Sequence, residues 1–191
     1  MKEKQINLDQ ISLSKSVSKH NFYSFLIHAV FLALAQNFMD VDTIIPSMLI
    51  ESGGSSMHIG LLTAIMLGGS SFTQLFFSPY LQNKTFKKKY LLFGINSRII
   101  SLVGLSLLFF FSVSFSGNAR ILFIFILITV FAFSGAFANI SYTDILGKSI
   151  LPDSRKSFFS LRQVLSGSGV LISAFFARRV LMSRQFPENY T

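Results

Sequence analysis

The chain has 191 residues, of which 51% are hydrophobic and only 13% charged, and Phe alone contributes 23. A soluble domain carries about a quarter charged residues, so this composition excludes an ordinary soluble globular protein, and its apolar content excludes disorder. With no Cys there is no disulfide, thiolate zinc site or cysteine nucleophile, and in so apolar a chain the net charge of +9 points to cytoplasmic loops rather than to nucleic-acid binding.

A bilayer core calls for about 20 mostly apolar residues per helix. The sequence offers such runs at about 22–50, 57–81, 90–115, 121–142 and 158–181. Residues 1–21 form a polar leading tail with Lys2, Lys4, Lys15 and Lys19. The first run is broken by Asp40 and Asp42. Carboxylates in a membrane span are costly and face an interior or water. Gln36, Asp40, Thr43 and Ser47 recur at helical spacing and are expected on one face, with Asn37 beside them and Asp42 turned away. Asp40 is thus either a substrate acceptor or proton carrier, or a carboxylate at the outer headgroups. Ala33-Leu34-Ala35 offers a cleavage pattern, but the long leading segment and the four later runs favour a retained span. His28, two turns before Gln36, reads as a packed residue.

The second run carries the small-residue stripe Gly60, Ala64 and Gly68, which suits close helix packing in lipid. Ser70 and Gln74 add polar groups, and Gln74 is a candidate substrate contact. The third run has Arg98 near its start. The fourth is free of charge, and its stretch Ile121–Val130 lacks the alternation of an outer-membrane strand. Ser134, Asn139 and Tyr142 are its polar members. The fifth run has Arg162 near its start and a second small-residue stripe at Gly169, Ser173 and Ala177, read as packing. The fold class is therefore all-α, a polytopic transmembrane bundle of about five helices.

Short connectors at Glu51–Ser56 and Ser116–Arg120 join the helices on one side, and Gln82–Lys89 and Asp144–Ser157 on the other. Lys84, Lys87, Lys88, Lys89, Arg98, Lys148, Arg155, Lys156 and Arg162 fall with the tail lysines. Only Arg120, Arg178, Arg179 and Arg184 oppose them. The basic side is expected to be cytoplasmic, with the N-terminus inside and residues 182–191 outside. No phosphate loop, nucleophile elbow or metal-ligand spacing is present, so neither an enzyme, a metal nor a cofactor is expected.

The order of these features resembles the N-terminal half of a major facilitator superfamily transporter. The stretch Pro79-Tyr80-Leu81-Gln82-Asn83-Lys84-Thr85-Phe86-Lys87-Lys88 loosely follows the family pattern G-x-x-x-D-R-x-G-R-[RK], keeping the positive charge but losing the carboxylate. Asp144-Ile145-Leu146-Gly147-Lys148, followed by Pro152-Asp153-Ser154-Arg155, Phe158 and Arg162, resembles the loop between helices four and five of many members. Asp40 through Pro46 to Gly53 and Gly60 resembles the first helix, outer loop and second helix. Family members have about twelve helices in two related halves, so the resemblance implies a partial transporter whose missing C-terminal half or second chain completes it. It implies transport of a small solute by alternating access across a cell inner membrane. It implies a coupling proton or cation, with Gln36, Asn37, Asp40, Thr43 and Gln74 as candidate solute contacts. Lys84, Lys87, Asp144, Arg155 and Arg162 become a candidate cytoplasmic charge cluster, against the plainer reading that the arginines snorkel. Two other readings stay open: a small polytopic scaffold or regulatory partner, and a membrane enzyme acting on lipid through Asp40, Asp42 or His28.

Overall fold

The computed structural model describes residues 13–191; Lys2 and Lys4 of the expected tail lie outside them. Six α-helices follow one another: α1 (Lys15–Asn37), α2 (Ile44–Glu51), α3 (Ser56–Gln82), α4 (Lys88–Phe110), α5 (Gly117–Ser149) and α6 (Pro152–Ser183). Single 3-10 turns lie at Ser112–Ser114 and Glu188–Tyr190. Four helices, α3 to α6, are long and apolar enough to cross a membrane. The fold is all-α, with the character of a multi-pass membrane protein.

Two expected boundaries change. The first apolar run is not one helix. It breaks after Asn37, turns through Phe38–Thr43, and resumes as the eight-residue α2, which at about 1.5 Å per residue is too short to span a bilayer. The cause is local: Asp40 Oδ1 accepts from the Asp42 amide (3.1 Å) and the Thr43 hydroxyl (2.6 Å). Such side-chain bonds offer the backbone an alternative to the helix. The expected connector Asp144–Ser157 is mostly helix, because α5 runs on to Ser149 and only Ile150 and Leu151 precede α6. Pro152 at the first helical position has no amide to leave unsatisfied there, and Asp153 places negative charge in the first turn.

Pairing follows small residues. Helix α5 is central, packing against α4 and α3 and more lightly against α1, while α6 packs along α1. α4 and α5 run antiparallel, since Gly94 lies against Ser134 and Ala138 while Gly104 lies against Leu127. α1 and α6 run parallel: Ser18 Oγ accepts from the Leu151 amide (3.0 Å), and Ser173 Oγ donates to the Leu34 carbonyl (2.6 Å). Gly169, Ser173 and Ala177 are all buried, and a Cβ on Gly169 would meet Val30 and Ala33. The second stripe is therefore a packing seam, as its spacing suggests. The first is not. Gly60, Ala64 and Gly68 are exposed, and nothing approaches the two glycines within 4 Å.

Two apolar clusters close the ends of the bundle. Around Phe158, the residues Leu26, Tyr142, Leu146 and Ile150 seal the end carrying the α3–α4 and α5–α6 connections. Around Phe109, Leu49, Leu62, Ile124 and Ile128 seal the other, where Phe186 and Tyr190 also pack. Gly53 turns the chain between α2 and α3 at φ +94°, a conformation that favours glycine. Large apolar side chains such as Leu75, Leu171 and Ile100, at 75%, 74% and 68% exposure, cover the outer faces. Water would not tolerate so continuous a surface, whereas lipid solvates it.

Gly94→Ala is expected to lower stability by about 1–3 kcal/mol, because its Cβ would lie 2.7 Å from that of Ala138 and 2.8 Å from the Ser134 carbonyl. Gly60→Ala, on an open face, should leave the melting midpoint unchanged or slightly raised. Thermal melts of the detergent-solubilised protein read both.

Candidate functional site

The expected solute contacts divide among three grooves of the bundle. Gln36, in the last turn of α1, lines a groove of about 450 Å³ between α1 and α6, facing Arg162, Gln163, Ser166 and Gly167. Asn37, Asp40 and Thr43 line the next groove along the same seam, about 510 Å³, with Ser47 of α2 and Arg178 of α6. Gln74 stands apart, in a groove of about 760 Å³ between α3 and α5 that it shares with Gln82, Asn139, Thr143, Lys87 and Asp144. The expectation that Gln36, Asp40, Thr43 and Ser47 share one helix face does not hold, because Asp40 and Thr43 sit in the turn that ends α1. That turn nevertheless brings Asn37, Asp40, Thr43 and Ser47 to one groove.

Asp40 has a structural task, holding the entry to α2 through its two hydrogen bonds. Asp42 is part of the same turn, its amide being one of the donors. Ser47 belongs to a small network at this end. Tyr190 Oη donates to Ser47 Oγ (3.0 Å) and lies 3.4 Å from Glu51 Oε1, while Asn189 Nδ2 donates to Glu51 Oε2 (3.5 Å). Burial, helped by the Glu51 charge, pushes the Tyr190 phenol above its ordinary range, so it remains a donor.

The expected charge cluster separates into four parts. Lys87 Nζ lies 3.2 Å from Asp144 Oδ1, and Lys148 Nζ lies 2.9 Å from Asp144 Oδ2. Lys87 is buried, with 6% of its side chain exposed, whereas Lys148 is 68% exposed. Asp144 thus ties the start of α4 to the end of α5. Arg155 is elsewhere. It donates through Nε to the Ile150 carbonyl (3.1 Å) and through Nη2 to Gly147, closing the C-terminal carbonyls of α5 with favourable charge. Lys84 lies over the Tyr80 ring, 4.7 Å from its centre. Arg162 leaves the cluster altogether and lies over the Tyr142 ring at 5.7 Å.

Tyr142 is also packed edge-on by Phe25 (5.6 Å) and faced by His28 (5.5 Å). This aromatic junction of α1, α5 and α6 was not legible in the sequence, although Arg162, Gln163 and Ser166 are spaced to share the α6 face that meets α1. Arg98 is half-buried against Phe131, 4.1 Å from its ring centre, in space left by Gly135. Among the described residues, no group of three or more His, Cys, Asp or Glu is placed to hold a metal ion.

The chain matches no protein-family model, no curated protein and no solved structure.

Asp144→Asn removes the charge that compensates the buried Lys87. It is expected to lower stability by more than about 1 kcal/mol, while Lys148→Ala, which removes an exposed i,i+4 pair, should change it by about 0.5 kcal/mol or less. Parallel melts of the two variants make the comparison.

Proposed function

We propose that the chain is part of a secondary active transporter of the major facilitator type, moving a small solute across a cell inner membrane by alternating access. In this reading α1 joins α3 to α6 as a fifth span. Its apolar stretch is diluted by His20, Asn21, His28, Gln36 and Asn37 because one face meets water or a partner rather than lipid. The N-terminus is cytoplasmic, since the lysine-rich α3–α4 connection lies at the same end of the bundle as the start of α1. The observation that supports transport best is the seam between α1 and α6, where polar grooves run from Arg162 to Arg178 in a bundle otherwise clothed in apolar side chains. Ionisable residues in membrane helices mark solute and ion paths more often than they serve packing. In this reading a gradient of a coupling ion or of the solute itself supplies the energy.

The open stripe at Gly60, Ala64 and Gly68 favours a second reading, a polytopic scaffold or regulatory protein whose partner helix docks there. In the transport reading the same stripe meets further transporter helices.

The intact mass of the native product in source membranes separates the cases. The transport reading expects either a product near twice 21.4 kDa or a 21.4 kDa chain that copurifies with a second helical chain. A stable 21.4 kDa product that supports no solute flux, alone or with its partner, contradicts it. Within the transport reading, Asp40→Asn in the complete assembly should abolish gradient-driven uptake while keeping the turn, because an amide oxygen still accepts from Asp42 and Thr43. Unchanged uptake would remove Asp40 as the proton carrier.

A further inference from the structure

Two of the grooves along the α1–α6 seam differ in charge; a third, at the helix starts, holds Lys15, Lys19 and Asp153. Of the two, the one nearer the C-terminal end of α6 contains both Asp40 and Arg178. The other contains Arg162, Gln36, Gln163 and Ser166, and no carboxylate. Among the described residues the acidic groups closest in sequence are committed or remote. Asp144 is taken by Lys87 and Lys148, Asp40 holds the α2 turn, and Asp153 lies at the start of α6, about 13 Å along the helix from Arg162. Among the described residues Arg162 is partly buried and makes no ion pair; it lies over the Tyr142 ring. Tyr142 supplies the ring but does not line the groove. A partly buried cation without a counter-charge is costly.

From this geometry we infer that the groove between α1 and α6 binds the oxyanion group of a small soluble solute, a carboxylate or a phosphate, on the Arg162 guanidinium, with Gln36 and Gln163 as flanking amide donors. The inference deepens the transport reading, on which it rests for the solute's passage. The planar guanidinium presents paired donors that match a carboxylate or phosphate. The Tyr142 ring, 5.7 Å from the guanidinium carbon, favours the cation in this position. The amides and the Ser166 hydroxyl add neutral hydrogen bonds without competing charge, although Ser166 also reaches the Ala29 carbonyl at 3.5 Å. A lipid headgroup carries the same chemistry. Arg162 lies four residues, about 6 Å, inside the apolar run that begins near residue 158, so depth does not separate the two sources and the lipid arm of the test below does.

The test uses the full chain in phosphatidylcholine nanodiscs, titrated calorimetrically with succinate, inorganic phosphate and the neutral analogue succinamide. Saturable binding of succinate or phosphate, but not of succinamide, is expected. Arg162→Gln should weaken it about tenfold or more, and Arg162→Lys by less, since it keeps the charge and loses the fork. Gln163→Glu, which supplies an internal carboxylate on an exposed position, should abolish binding with unchanged helix content, and so covers the case in which Arg162→Gln fails to fold. Absence of oxyanion binding, or equal binding by Arg162→Gln, would overturn the inference. Nanodiscs doped with phosphatidylglycerol provide the second arm. If that lipid displaces succinate through Arg162, the site serves a headgroup and the solute assignment fails. Binding that survives every control in a protein without flux would instead count against the transport reading alone.

Discussion

A hydrocarbon solvent offers backbone amides and carbonyls no water, so a chain that enters it must satisfy those groups within itself. Most of this structure follows from that constraint. It explains why the apolar runs are helices, and why the outer faces carry Leu75, Leu171 and Ile100 without penalty. It also explains why the helices approach closely at Gly94, Gly169, Ser173 and Ala177. With lipid as apolar as leucine, association depends on close backbone approach and a few hydrogen bonds. The Ser173 bond to the Leu34 carbonyl and the Ser18 bond to the Leu151 amide are of that kind.

The same constraint makes polar side chains informative by how they are satisfied. Asp144 neutralises Lys87, Arg155 closes the end of α5, and Glu51 is bound by Tyr190 and Asn189. These groups hold the two ends of the bundle together. The α1–α6 seam is different. Gln36, Gln163 and Arg162 line one groove there with no carboxylate among its walls. A membrane bundle keeps such groups where a ligand or water completes them.

The long apolar helices and their basic end were legible in the sequence because both depend on composition summed over many residues, and so was the packing role of Gly169, Ser173 and Ala177. The break at Asp40 was not, since apolar content on both sides of it masks a turn set by two side-chain hydrogen bonds. The Pro152 region read as a loop because Pro and charge mark breaks, yet here they start a helix. The fate of Arg162 was illegible for another reason. Sequence proximity groups it with Asp144 and Arg155, whereas the parallel pairing of α1 with α6 turns it toward Tyr142 and Gln36. Likewise, spacing alone could not separate the buried stripe on α6 from the open one on α3, because burial depends on which helix arrives.

The central claim is that the α1–α6 seam is a wet, polar path in a lipid-embedded bundle. The chain contains no Cys, so single cysteines can be placed against a silent background. Cysteines at Gln36, Gln163 and Ser166, with others at Phe31, Leu171 and Phe175, would be exposed in native vesicles to a membrane-impermeant thiol reagent. The account predicts labelling at the first three positions and protection at the last three, whose side chains face lipid. Equal labelling at all six, or none at Gln36, Gln163 and Ser166, would contradict it.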